Sequence, residues 1–434
     1  MRKPKDISFS EQILLAYREE DPKVNCPSIT FQVTDDCCLQ CSYCYQINKG
    51  HRMMSHSTIK SGIDLLFKMY EEDNEEALIN HHTKGLILDF IGGEPFMNVD
   101  TMSYGAEYFI DRCIQEDHIW LSNFKISISS NGILFFEPEV QQFIKRFAPF
   151  LSMTITIDGP KHLHDACRKD FDGNGSFDRA IKAYRALRDD FHFIPNTKVT
   201  IAPENLSYLN EIIDFFINEG ATSIHANPIF EHKWTPHEGS KYYQELKKLA
   251  LRLVEQDDIQ TNIFNANFGI PLTSDDNMNW CGGTGKMLAF NPDGIAYPCI
   301  RYMESSLGAT RKPIIVGNVN GIYQTNEEKE LYNYFNTITR RSQSTDECWN
   351  CSIANGCAWC TAWNYQELGT CNQRSTNICW MHRAKSLANS FYLNTYYRKN
   401  DSYRRMPVYL ERNIATQIIS DEEYDMLLKL SFIR

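Results

Sequence analysis

Residues 28–45 read Ser-Ile-Thr-Phe-Gln-Val-Thr-Asp-Asp-Cys-Cys-Leu-Gln-Cys-Ser-Tyr-Cys-Tyr, a strand-like run that passes directly into a cysteine loop. Cys37, Cys41 and Cys44 stand at Cys-x3-Cys-x2-Cys spacing, so one tight loop can turn three thiolates toward one point. A [4Fe–4S] cluster is normally held by four cysteines, one per iron, and a loop that offers three leaves one iron open to an outside ligand. Short Cys spacings also make zinc sites, but zinc wants a fourth Cys or His nearby. Neither occurs between Tyr45 and His51. Cys38 permits a second register with Cys41 and Cys44, but as the direct neighbour of Cys37 it is expected to point away.

Working outward, strand-like and helix-like stretches alternate from residue 28 to about 256. The candidate strands are Ser28–Thr34, Leu86–Ile91, Lys125–Ser130, Leu151–Ile157, Lys198–Ile201 and Ser223–Asn227, short and apolar as buried parallel strands are. Amphipathic helices are expected near 57–71, 99–115, 137–147, 176–189, 205–219 and 240–256. Six such units imply an α/β fold, a partial (β/α)6 TIM-type barrel, with chemistry in the loops after the strands. The loops fit that rule. The cysteines follow the first strand, Gly92-Gly93-Glu94-Pro95 the second and Ser129-Ser130-Asn131-Gly132 the third. Asp158-Gly159-Pro160 and His164-Asp165-Ala166-Cys167-Arg168 follow the fourth. Two adjacent glycines let backbone approach a ligand closely.

Cys37-x3-Cys41-x2-Cys44 followed by a Gly-Gly-Glu in the second loop resembles the signature of the radical S-adenosylmethionine (radical SAM) superfamily. The resemblance implies that the open iron is chelated by the amino and carboxylate groups of SAM. It places Tyr43 against adenine, and Gly92, Gly93 and Glu94 at the SAM amino group. A carboxylate accepting from an ammonium makes a charge-assisted hydrogen bond there. Ser129 and Asn131 match positions near the ribose hydroxyls, and Arg168 a basic residue that pairs with the SAM carboxylate. A plain turn at Ser129 and Asn131, and a surface ion pair at Arg168, are the alternative readings of those positions.

Composition narrows the rest. At 434 residues the chain is long enough for two domains plus an extension. No transmembrane span or signal peptide is visible, so a cytoplasmic location without membrane contact is expected. Fifteen cysteines in such a chain point to metal or catalysis rather than disulfides. The net charge of −11 weighs against a nucleic-acid partner.

Near residue 271 cysteines return among glycines and tryptophans, first as Cys281-x12-Gly294-x4-Cys299. Cys348-x2-Cys351-x5-Cys357-x2-Cys360 follows, then Cys371 and Cys379. A loop-rich stretch of this kind needs metal staples in place of a large apolar core. The pattern resembles the SPASM extension of radical SAM enzymes that act on peptides, which carries two auxiliary [4Fe–4S] clusters. The resemblance gives Cys281, Cys299 and Cys360 to one cluster, and Cys348, Cys351, Cys357 and Cys379 to the other. Two residues separate Cys357 from Cys360 where the family has three, and Cys371 competes with Cys379. Two zinc sites are the alternative. The expected organisation is an N-terminal extension (1–27), a barrel (28–256), a linker with a small iron–sulfur-stapled SPASM domain (257–385) and a C-terminal extension (386–434). One short helix, Glu11 to Glu20, is expected in the first of these.

The resemblance implies a 5′-deoxyadenosyl radical that takes a hydrogen atom from a substrate C–H bond, with the electron arriving from an external flavodoxin- or ferredoxin-type donor. Sulfatase-maturing enzymes share most of these motifs but carry an Asp directly after the Gly-x4-Cys cysteine, where this chain has Ile300. The stretches around Cys281, Cys357–Cys360 and Cys379 look more like maturases of ribosomally made precursor peptides with spaced cysteines, which commonly form thioether crosslinks. The 27 residues before the first strand are too few for the leader-binding domain of about 80 residues that many such maturases carry. Leader recognition is therefore expected of the barrel, the C-terminal stretch or a separate protein. A zinc-stapled binding module without catalysis is the competing class.

Overall fold

The computed structural model describes residues 25–193, 196–256, 259–272 and 281–432, so the expected helix Glu11 to Glu20 lies outside the described residues. The chain forms two compact units, Met1–Thr156 with Cys167–Phe193 and Gly282–Thr337, and Ile157–Ala166 with Ile194–Cys281 and Ile338–Arg434.

The first unit is built on the parallel strands β1 (Ser28–Thr34), β2 (Leu86–Gly92), β3 (Phe124–Ser130) and β4 (Leu151–Ile155). Helices α1 (His56–Glu72), α2 (Val99–Gln115) and α3 (Pro138–Phe147) connect them, and α4 (Phe177–Asp189) follows β4. Ser55 caps α1 by accepting from Thr58 N at 3.1 Å, and Ile59, Ile63, Leu66 and Phe67 then fall on one buried face. Strand alternation sorts the sheet into two faces. Ile29, Phe31, Leu88, Phe90, Ile126 and Ile128 are buried on one of them. Each such side chain contributes about 1.5–3 kcal/mol of burial. Gly62 of α1 admits Phe31, since a Cβ there would lie 2.7 Å from the ring. The opposite face carries Thr30, Asp89, Ser127 and Ser152 in one cross-strand row, with Thr30 Oγ1 donating to Asp89 Oδ2 at 3.2 Å.

The second unit contains β5 (Asn196–Ile201), α5 (Leu209–Asn218), β6 (Ser223–Pro228), α6 (Pro236–Glu255) and the short β7 (Gln260–Thr261). The six strands read from the sequence therefore belong to two hydrogen-bonded sheets, β1–β4 in one and β5–β6 with β7 in the other. Thr235 and Glu238 form a reciprocal capping box that starts α6, with Pro236 in its first turn.

Residues 257–385 do not group as a segment of their own. β8 (Leu288–Phe290) pairs in parallel with β1, and β9 (Ile295–Tyr297), β10 (Gly317–Asn318) and β11 (Gly321–Ile322) continue the first sheet outward. Phe31 and Phe290 stack at 5.3 Å across the β1–β8 pair. α7 (Asn326–Asn336) closes this part, and α8 (Thr361–Leu368) belongs to the second unit. The expected boundary at 385/386 falls inside α9 (Cys379–Lys399), which is buried over much of its length. Asn389 of α9 accepts from Asn265 N and donates to the carbonyls of Asn265 and Phe268, and Asn394 pairs likewise with both backbone groups of Met406. These polar side chains are buried beside the apolar Leu387, Phe391 and Leu393 of the same helix. α10 (Asp421–Phe432) ends the described chain. No helix among the described residues is long and apolar enough to cross a membrane.

Candidate active site

The cysteine loop follows β1 and is fixed by its own polar residues. Asp36 N donates to Thr34 Oγ1, and Cys37 N donates to Asp36 Oδ1. Buried Asp35 accepts from Gln32 and from Arg52, whose guanidinium also reaches Asp293 and Glu304. Lys49 Nζ donates to the Leu39 carbonyl at 2.9 Å. His51 binds Asp36 Oδ2 at 2.9 Å. Among the described residues no disulfide joins any cysteine. Nor do three Cys, His, Asp or Glu side chains there gather as tightly as one metal ion requires. The thiols interact at longer range, Cys41 feeling the charges of both Cys37 and Cys44.

Gly92 and Gly93 pack the second loop onto the first. Gly93 N donates to Thr34 O and Glu94 N to Asp36 O. A Cβ on Gly93 would lie 2.3 Å from Asp36 O and 2.7 Å from Cys37 Cβ. The glycines thus serve an approach of backbone to the cysteine loop, closer than any side chain allows.

Glu94 is buried and ties in the third loop. Its Oε1 accepts from Ser130 Oγ at 2.8 Å and from Phe96 N, and its Oε2 accepts from Asn131 N at 2.8 Å. Burial pushes its carboxyl up to about 7 against the pull of these donors. The carboxylate expected to meet an ammonium is therefore also the bracket between the second and third loops. Asn131 Nδ2 reaches Cys38 Sγ at 3.3 Å and Cys37 Sγ at 3.8 Å. Cys38 does not point away, since its thiol faces Asn131 and Cys37. Ser129, on the other side of the strand, is exposed, and Ser130 makes the buried contact.

The segment after the fourth strand reaches the same loop. Gln40 N donates to Lys169 O at 2.9 Å and Ser42 N to Cys167 O at 3.0 Å. Arg168 is thereby set with its guanidinium 5.3 Å from the Tyr43 ring centre and Nη1 3.8 Å from Cys41 Sγ. The hydrogen bond from Cys38 lowers the Cys37 thiol to about 6, helped by Leu39 N and by the charges of Lys49 and Arg168 and opposed by burial. Burial raises Cys41, against Arg168. A loop of three thiols, one already poised as thiolate and flanked by two cations, fits a cluster that carries net negative charge.

In the second unit Cys348, Cys351, Cys357 and Cys379 form one electrostatic group. Cys357 feels Cys351 and Cys348, and Cys379 feels Cys357 and Cys348. Burial pushes Cys379 up to about 12. Cys379 is the first residue of α9, where the helix dipole favours a thiolate. Cys371 is buried, and its carbonyl accepts from Gln343. Cys360 caps α8 by accepting from Trp363 N, and Cys281 Sγ lies 3.4 Å from the neighbouring Thr361 Oγ1. Cys299, in the first unit, precedes the turn Ile300–Tyr302, and the Arg301 guanidinium sits 5.2 Å from the Tyr45 ring centre.

Sequence reasoning passed over Lys49, Arg52, Ser130 and Arg374. Arg52 carries no local signal, because its partners lie up to 252 residues away. Ser130 could have been found from strand alternation, since it shares the buried face with Ile126 and Ile128.

Comparison with known proteins agrees with this geometry. Residues 31–216 match the model of the radical SAM superfamily. The radical SAM cyclopropyl synthase TigE of Paramaledivibacter caminithermalis is 23% identical over 374 residues, covering 82% of this chain and 71% of that protein. The cysteine-type anaerobic sulfatase-maturating enzyme of Clostridium perfringens is 23% identical over 293 residues, 62% of this chain and 72% of that one. In fold, the chain is similar to native anSMEcpe with bound AdoMet and Kp18Cys peptide, with a TM-score of 0.60 at 15% identity, over 86% of this chain and all of that one. The chain carries a radical SAM domain and is an enzyme related to the peptide- and protein-maturing members of that superfamily.

Proposed function

We propose that this enzyme modifies a ribosomally made precursor peptide, using a [4Fe–4S] cluster held by Cys37, Cys41 and Cys44 and a SAM molecule docked beside it. The bracing of the cysteine loop by Gly93, Glu94, Asn131 and Arg168 carries this reading. When bound, the reduced cluster and SAM supply a 5′-deoxyadenosyl radical. The chain's own residues hold the loop, offer Tyr43 as a face for adenine and present Arg168 to a carboxylate. The polar row Thr30, Asp89, Ser127 and Ser152 gives an extended substrate backbone hydrogen-bonding partners. Gly92 and Ser129 complete the SAM contacts in this reading.

Cys348, Cys351, Cys357 and Cys379 are assigned to one auxiliary [4Fe–4S] cluster, and Cys281, Cys299 and Cys360 to a second with an iron open to a substrate thiolate. The product is a thioether from a Cys sulfur to a peptide carbon. In forming it the carbon would give one hydrogen atom to the 5′-deoxyadenosyl radical, the thiol would release a proton, and the remaining electron would pass to an auxiliary cluster, while a flavodoxin- or ferredoxin-type protein supplies the electron for SAM cleavage. The similarity to a sulfatase-maturating enzyme supports a second reading, conversion of a peptide cysteine to formylglycine.

Anaerobically reconstituted enzyme should hold about twelve irons per chain and release 5′-deoxyadenosine under reductant. Cys41→Ala should abolish that release, and Cys351→Ala should spare part of it while blocking product. A product lighter by two hydrogens with its sulfur retained marks the thioether. A product that has lost its sulfur marks the formylglycine reading, and no iron uptake would end both.

A further inference from the structure

The loop between α8 and α9 carries a cation that the chemistry above does not use. Arg374 is only 8% exposed, and among the described residues no carboxylate pairs with it. Its Nη2 lies 3.0 Å from Cys357 Sγ and 3.5 Å from the Cys357 carbonyl. Its guanidinium lies 4.1 Å from the centre of the Trp359 ring, and Arg340 faces the same ring at 5.6 Å. The indole is fixed in turn, Trp359 Nε1 donating to Gln343 Oε1 at 3.0 Å while Gln343 O accepts from Arg374 N at 2.9 Å. A buried guanidinium held this firmly needs an anion, because a charge left unpaired away from water is strongly disfavoured. The group it faces is the four-cysteine set, in which Cys357 and Cys379 both feel its charge.

We propose that Arg374 is a positioning residue that compensates the charge of the Cys348, Cys351, Cys357 and Cys379 cluster and sets its reduction potential. The inference rests on the reading that these four cysteines hold an iron–sulfur cluster. Hydrogen bonds to cluster sulfurs and net local charge are the terms by which a protein tunes such a potential. A donated, positively charged hydrogen bond favours the reduced form, which carries one more negative charge. Trp359 gives the guanidinium a flat support that an ammonium uses less well, so lysine replaces the charge but not the full geometry.

The test is an anaerobic redox titration of the full chain, followed by electron paramagnetic resonance, with iron analysis and circular dichroism alongside. Arg374→Gln is expected to keep its iron and to raise the oxidised-to-reduced ratio of one cluster about tenfold at a fixed potential, equivalent to about 59 mV for one electron. Arg374→Lys should recover at least half of that change. Arg374→Gln that loses about four irons with an unchanged fold, while Arg374→Lys keeps them, supports the same role in a stronger form. The proposal is overturned if Arg374→Gln leaves iron and every ratio unchanged. It is also overturned if both variants shift equally, or if both lose iron with the fold intact. Cys357→Ala separates the two layers: unchanged iron in that variant would remove the cluster reading itself, whereas loss of about four irons leaves it standing whatever Arg374 does.

Discussion

The two cysteine constellations, one after β1 and one around the start of α9, solve the same electrostatic problem differently. Cys37, Cys41 and Cys44 lie within eight residues of one loop, which is held from outside by Gly93, Asn131 and the 167–169 segment. Of its cations, Lys49 acts on Cys37 at a distance and Arg168 reaches Cys41 Sγ only at 3.8 Å. Cys348, Cys351, Cys357 and Cys379 span 32 residues and come from separate turns and a helix start, with Arg374 in direct contact with one sulfur. A three-cysteine loop keeps one position for an exchangeable ligand. A four-cysteine set closed by its own cation suits a group that stores or passes an electron.

Breaking the first constellation without the second should give the largest effect. Gly93→Ala places a Cβ 2.3 Å from Asp36 O, so the cysteine loop must shift. A displacement of that kind is expected to lower 5′-deoxyadenosine release about 100-fold. Iron in the Cys348–Cys379 set should be retained, so of the about twelve irons proposed above the variant should lose about four at most. Full activity in Gly93→Ala would show that the close approach is incidental.

The second constellation can be loosened through His382. Its Nε2 bonds the Ile353 carbonyl at 2.6 Å and pins the turn between Cys351 and Cys357 to α9. Burial lowers His382 to about 4, below its ordinary 6.5, so the folded chain holds it neutral. The stability this contributes is fully present above about pH 6.5 and is lost as the pH falls toward 4, a change on the order of 3 kcal/mol. Thermal unfolding of the full chain across that range should show the loss, and His382→Gln should flatten it. An unaltered acid slope in His382→Gln would assign the sensitivity elsewhere.

The smallest expected effect sharpens the loop contacts within the first unit. Ser130→Ala leaves Glu94 Oε1 with Phe96 N as its one donor and takes the side-chain acceptor from Gly132 N, and should cost about 1–3 kcal/mol of stability. Ser129→Ala, at an exposed position, should fall within about 0.5 kcal/mol of the parent. Denaturant midpoints of the two variants measure the difference, and equal midpoints would deny Ser130 its bracket role.

The sequence by itself determined the local features. β1 to β6, the helices α1 to α6 within a few residues, and the three-cysteine loop follow from periodicity, caps and spacing, all of which act over fewer than about 20 residues. Those signals are short-ranged because they reflect backbone geometry and the face a helix or strand turns to its neighbours. Tertiary structure alone decided what depends on distant partners. β8, three residues long, joined β1 across about 250 residues. Arg52 met Glu304, Ser130 displaced Ser129 as the buried contact, and Arg374 reached Cys357. No propensity or spacing records such meetings. They arise when a buried charge or an open strand edge finds the one group the fold brings within bonding distance.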